Sequence, residues 1–347
     1  MRVLFVTEIL NMTEAADQTC NDGINGSITT FRLFPGSVLA LVRTRIASGV
    51  QIAGLLWVLS AIGICAADDS LRQGEYLLHL GGCIGCHTTD RMLAGGRPIE
   101  SPFGTFYSPN ITSDPEYGIG AWSDEEFVGA LREGTSPAGR HYFPAFPYTT
   151  YTRMTRNDML ALKAYIMSLP PSTRQNSPHD IPWYVTPDWM MAYWKWRNFK
   201  PGAYIGSPAE SPEWNRGAYL ANALGHCGEC HTPRNLFGAT RRELHLAGSR
   251  WGVTMGERKN IVPNITPDPD TGIGSWERSD VIRLLMTGQR PDGAYTSGRM
   301  IEFLGAGFLH MTEPDRNALV TYLLTLPPIY HDVEFYNQPF SDPGYHE

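Results

Sequence analysis

A basic surface is the first thing missing from these 347 residues. Against 35 Asp+Glu stand 28 Lys+Arg, a formal net charge of −7, and only 18% of the chain is charged. Nucleic acid is therefore not an expected partner, since phosphate binding needs a cationic face. No Ser-His-Asp set, phosphate-cradling loop or second metal cluster is visible either, which leaves hydrolytic and phosphoryl-transfer chemistry without candidates. What remains is 42% hydrophobic, enough to bury a core, with 35 Gly and 26 Pro to break it into short, well-separated helices.

Long apolar runs are scarce. The one stretch of note, Val50 to Ile64, follows Arg43 and Arg45 and runs into Cys65-Ala66-Ala67 and then Asp68-Asp69. It is shorter than the roughly 20 residues a spanning helix needs. A basic start, a short apolar run and small residues before a polar sequence describe a secretory leader, with cleavage expected after Ala67. The run lies unusually far into the chain, so translation is expected to start nearer Leu41 or Val42. Residues 1–67 then form a cleaved extension, and the mature protein belongs in the periplasm. Cys20 and Cys65 leave with it, so four of the six cysteines remain.

Those four stand in Cys83-Ile84-Gly85-Cys86-His87 and Cys227-Gly228-Glu229-Cys230-His231. Two thiols at this spacing reach the two vinyl groups of one porphyrin, and the adjacent histidine lies under the iron, so C-x-x-C-H marks covalent c-type haem. A zinc ribbon would need the two pairs much closer than their separation of about 140 residues. A thioredoxin-like site would need a βαβ setting that neither copy has. Plain disulfides would not require a histidine at the same place twice.

The surroundings repeat as well. Gly74-Glu75-Tyr76-Leu77 precedes the first motif as Gly217-Ala218-Tyr219-Leu220 precedes the second. Residues 109–140 and 263–294 align without a gap at 14 identities in 32 positions, including Pro-Asn-Ile-Thr, Gly-Ile-Gly and a tryptophan. Each unit closes on a helical pattern, capped by Thr155 or Thr312 and stopped at Leu169-Pro170-Pro171 or Leu326-Pro327-Pro328. Gly104–Ser108 is the best strand candidate, enough for a small hairpin. The expected fold is mainly α and loop-rich: two tandem class I cytochrome c domains at 68–171 and 214–330, each wrapped around a covalent haem, with a polar tail at 331–347. The connector, 172–213, carries Trp183, Trp189, Trp194 and Trp196. Four aromatics of this size do not suit a flexible linker; they are expected to pack the haem domains together, with Trp194-Lys195-Trp196 as a docking surface the alternative.

A sixth iron ligand separates electron carriers from haems that bind small molecules. In the second unit Met300 stands in a glycine-rich loop, whereas Met311 directly precedes the Thr312 cap, where an apolar residue acts as a staple. Met300 is the expected ligand. In the first unit the corresponding loop, Phe143 to Tyr148, has no methionine. Met154, His141 and an open position all remain candidates. Met92, Met159, Met167, Met255 and Met286 are expected to fill gaps in the core.

Gly95-Gly96-Arg97-Pro98, the two Asn-Ile-Thr segments, Tyr142 to Tyr148, Asn215 to Leu220 and Gly225 to Asn235 together resemble the multihaem cytochrome c subunits of bacterial membrane-bound alcohol, gluconate and aldehyde dehydrogenases. The resemblance covers about 70–330. It implies electron transfer from a dehydrogenase partner towards quinone or a terminal oxidase, and it makes Met300 the distal ligand of the second haem. It departs in three places. Such subunits typically hold three haems, often carry Met where Phe146 stands here, and this tail offers no amphipathic anchor, which leaves peripheral membrane association without a visible attachment. The expected function is a periplasmic carrier with two covalently bound haem c groups, a dehydrogenase subunit upstream and a cytochrome or oxidase downstream. A dihaem peroxidase or thiosulfate dehydrogenase is the alternative.

Overall fold

Gly74 and Gly217 set the framework. In the computed structural model, which describes residues 68–101, 103–250 and 261–333, both glycines lie where two helices cross. A Cβ at Gly74 would overlap the Ala161 carbonyl oxygen, and one at Gly217 would overlap that of Ala318. The helices concerned are the one covering residues 71–80 (α1) and the first C-terminal helix, Arg156–Ser168 (here α5), then Pro212–Tyr219 (α7) and Glu313–Thr325 (α11). Between them in chain order lie Cys83–His87 (α2), Asp124–Arg132 (α3), Tyr148–Tyr151 (α4), the connector helix Asp188–Asn198 (α6), Cys227–His231 (α8), Arg278–Thr287 (α9) and Arg299–Ala306 (α10). The expected leader, with Cys20 and Cys65, falls outside the described residues, as do Met255 and most of the tail. Among the described residues no helix is long and apolar enough to cross a membrane.

Local signals behave as their chemistry requires. Thr155 and Thr312 accept from the Asp158 and Asp315 amides, and both helices stop where an extended leucine precedes proline. Ser123 and Glu126 close a capping box on α3. Pro98–Ser101 (β1) and Gly104–Tyr107 (β2) pair antiparallel with Ile99 opposite Phe106, and both of those side chains turn inward.

One cluster of buried residues, from Leu77 to Leu323, takes in side chains from both halves. Their junction is reciprocal. Tyr76 on α1 donates to Asp315 at the start of α11 over 2.6 Å, and Tyr219 on α7 donates to Asp158 at the start of α5. Each aspartate also takes bonds from its own half, Asp315 from Nε and Nη2 of Arg216 and Asp158 from Gln73. The N-terminal helix of each half thus closes the C-terminal helix of the other, as a two-fold interface would.

Asp315 should show in the acid limb of stability. Burial opposes its ionisation, but bonds from Arg216 and Tyr76 more than offset that and hold the carboxyl below its ordinary value. Its contribution is complete above the unfolded pKa of about 3.9 and disappears as pH falls through the lower folded value. Asp315→Ala is expected to cost about 2 kcal/mol near neutrality, since Arg216 loses its partner. Asp315→Asn should flatten the stability curve below pH 4 in denaturant titrations; an acid limb as steep as in the parent would contradict this.

The second half contains one residue more than the first between helix and motif: Gly74 stands nine positions before Cys83, Gly217 ten before Cys227. The extra residue is absorbed in a π-turn, Leu220–Leu224, directly after α7. Crossing glycine and cysteine therefore keep corresponding places in both halves.

The connector overturns an expectation. Trp183, Trp189 and Trp196 are 81, 69 and 78% exposed, and Trp194 is half-buried with its indole N–H on the Phe237 carbonyl. The residue that α6 buries is Lys195. Its ammonium donates to Gly134 O and meets His141 Nδ1 at 2.9 Å, above the Tyr148 ring. Trp189, Tyr193 and Trp196 recur at helical spacing on the opposite face, so anchoring Lys195 turns them outward. Met92 and Met286 are likewise exposed at 43 and 39%, not core fillers, whereas Met159 is fully buried.

Candidate functional site

Cys83, Cys86 and His87 share the single turn of α2, and Cys227, Cys230 and His231 the single turn of α8, so positions one, four and five fall on one face. None of the four cysteines is in a disulfide. Burial, reinforced by the neighbouring cysteine, pushes Cys83 and Cys227 up to about 12. That is the opposite of the lowered pKa that marks the thiolates of redox or metal-thiolate sites.

The histidines are held identically. His87 Nδ1 lies 2.8 Å from the Pro109 carbonyl oxygen, and His231 Nδ1 lies 2.8 Å from that of Pro263. A carbonyl can only accept, so each Nδ1 carries the proton and each Nε2 presents its lone pair, the tautomer an axial iron ligand requires. Burial lowers the pKa of both rings, which favours the neutral form.

The loops behind the histidines repeat bond for bond. His87 O accepts from Gly95 N and His231 O from Gly248 N, each at 2.7 Å; Leu93 and Leu246 both take a left-handed backbone. Asn110 Oδ1 receives Thr112 N and Oγ1, while its amide donates to Ser172 O. Asn264 does the same with Thr266 and Ile329 O. The repeated Pro-Asn-Ile-Thr segment thus fastens the carbonyl that orients each histidine to the chain beyond Leu-Pro-Pro. Repetition was the sequence signal for this role, but it does not say that the proline carbonyl is the working atom.

The remaining candidates fall out unevenly. Met300 is the second residue of α10, not in a loop; Gly298 ends the glycine-rich stretch and the helix begins at Arg299. It is half-buried against the core. Met154 and Met311 are both buried, 1 and 6% exposed, and each immediately precedes its threonine cap. His141 is committed to the connector through Lys195 at Nδ1 and Asp188, 3.9 Å from Nε2.

Two arginines were not anticipated. Arg97 and Arg250 occupy the same place, two residues beyond Gly95 and Gly248. Arg97 donates to Gly85 O and Glu302. Arg250 has Nε and Nη2 buried, with no hydrogen-bond partner among the described residues. Unpaired buried guanidinium nitrogens fit a carboxylate-bearing group such as a haem propionate, so the second site suits the haem that its cysteines imply.

Paired cysteines, an oriented histidine and the surrounding short helices define a c-type cytochrome. Residues 72–170 match the Cytochrome c family. A dihaem cytochrome c of Cereibacter sphaeroides is 37% identical over 264 residues, 74% of this chain and 86% of that protein. The cytochrome c subunit of the quinone-dependent alcohol dehydrogenase of Gluconobacter oxydans is 36% identical over 309 residues, 84% of this chain and 63% of that one. The cytochrome subunit of the fructose dehydrogenase of Gluconobacter japonicus is 37% identical over 267 residues, 76% of this chain and 54% of that one. The chain therefore belongs to the family of dihaem cytochromes c and cytochrome c subunits of bacterial dehydrogenases, though it spans less than two thirds of those dehydrogenase subunits.

Proposed function

We propose that the mature chain is a dihaem electron carrier of the periplasm, built from tandem class I cytochrome c domains at 68–171 and 214–330 and released from the leader 1–67. One haem c is attached through Cys83 and Cys86 with His87 as proximal ligand, the other through Cys227 and Cys230 with His231. The observation that carries this reading is the identical Nδ1-to-proline bond at both motifs. Bound haem supplies a one-electron ferrous/ferric couple. The residues of the chain orient both Nε2 atoms, hold the thiols in place and keep water from the apolar side. The alcohol and fructose dehydrogenase relatives supply the chemistry of the upstream partner, a dehydrogenase. A net charge of −7 favours a docking face on that partner, or on a downstream cytochrome or oxidase, that is basic.

Acidic acetone tests attachment: colour must stay with the polypeptide, and the pyridine spectrum must give two haems per chain. Loss of the colour refutes covalent attachment. Met300 is proposed as the distal ligand of the second haem. Met300→Ala should turn one haem high-spin and lower its potential, while Met311→Ala should reduce stability and leave the spectrum unchanged. The reverse outcome would exchange the two roles. For the first haem Met154 is proposed, because His141 is bound to Lys195. A Met154→Ala spectrum identical to the parent would show that residue to be a staple only.

A further inference from the structure

The contact between the two motifs rests on His226. It directly precedes Cys227 and is 8% exposed, with φ 36°, a left-handed backbone that a side chain seldom adopts. Its counterpart before Cys83 is Gly82, also left-handed at φ 67°. The two meet: a Cβ on Gly82 would lie 3.1 Å from His226 Nε2 and 2.6 Å from Phe303 Cε1. Phe303 packs edge-on against the imidazole with ring centres 4.8 Å apart, and Tyr151 does so at 5.9 Å. The Gly81 carbonyl accepts the Tyr151 hydroxyl at 2.5 Å.

Around this ring the second motif is fixed to the first half once more. Glu229, between Cys227 and Cys230, accepts from Thr149 and Thr150 of the first half at 2.7 and 2.8 Å. The ring therefore joins the residues immediately before both first cysteines. A strained backbone persists only where its surroundings enforce it, and sites that position a reacting group are where such strain collects.

We propose that His226 is a positioning residue for electron exchange between the haems: its ring, wedged between Gly82, Phe303 and Tyr151, sets the spacing and mutual orientation of the two attachment segments. The proposal rests on the two-haem reading above. Its role is mechanical. The imidazole fills the recess that Gly82 leaves open, so that the two segments close to one separation.

The test is circular dichroism in the Soret band of the full-length holoprotein, where two haems at fixed distance and angle give a paired positive and negative signal. Parent protein with two covalent haems should show this couplet. His226→Gly relieves the left-handed backbone and removes the ring; it should keep both haems and the separate low-spin spectra but lose the couplet, with slower equilibration between haems after flash reduction. His226→Asn, which tolerates the same backbone, should behave likewise and serves if the glycine variant does not accumulate. His226→Phe refills the recess and should restore the couplet. A glycine or asparagine variant with the parental couplet, or a phenylalanine variant as weak as glycine, would overturn the role of His226 while leaving two haems in place. Parent protein with a single haem would instead bring down the two-haem reading itself.

Discussion

Changing Cys227 and Cys230 to alanine is expected to leave protein with one covalent haem and to weaken both halves, not only the one that was altered. A chain of two independent domains would lose the second domain and keep the first intact. Here the α7 tyrosine, Tyr219, binds Asp158 at the start of α5, and Thr149 and Thr150 both donate to Glu229 of the second motif. Without haem the second motif would lose the group that its thiols and histidine are proposed to hold, and those contacts would lose their anchor. Glu229 would then sit buried beside Arg234 with its geometry disturbed, which is costly for an ion pair out of water. Thermal unfolding followed at the remaining haem should shift downward in the double variant. An unshifted transition at the first haem would mean that the halves fold separately.

Gly217→Ala is expected to be among the most damaging single methyl additions in the described chain. The new Cβ would overlap the Ala318 carbonyl oxygen and come within 2.7 Å of the Tyr322 Cβ. Both are held by α11, so neither can move aside as a long side chain could. Helix α7 would have to lift from α11, at a cost of about 3 kcal/mol. Gly74→Ala should behave alike against Ala161 in the first half. By contrast Gly139→Ala is open in space and strained only by its φ of 76°, so it should cost about 1 kcal/mol. Urea midpoints for the three variants would order them, and equal midpoints would contradict the close crossing.

Sequence was most informative where chemistry is local. A threonine three residues before an aspartate amide, a leucine before two prolines and a histidine next to C-x-x-C each act on neighbours in the chain, and the caps, helix ends and hairpin follow from them. Partner choice across the fold was less legible. Tyr76 and Asp315 are 239 positions apart, and their pattern is visible only once Tyr219 and Asp158 supply the mirror image. The tryptophans misled because apolar size argues for burial, whereas α6 can bury only one face and Lys195 finds two acceptors there. Met300 fell in a helix because glycine-rich sequence up to Gly298 says nothing about where the next helix begins. The buried Arg250 nitrogens, which find no partner among the described residues, could not be foreseen, since a missing partner has no trace in sequence.

The outward-facing tryptophans also make this cytochrome its own optical reporter. Indoles in contact with water emit at longer wavelength and are quenched by iodide or acrylamide, so Trp183, Trp189 and Trp196 should answer to added quencher well before the hydrogen-bonded Trp194 does. Any molecule that settles on that side of α6 will shield them. Its arrival can then be timed from the emission of the chain's own indoles, without a label.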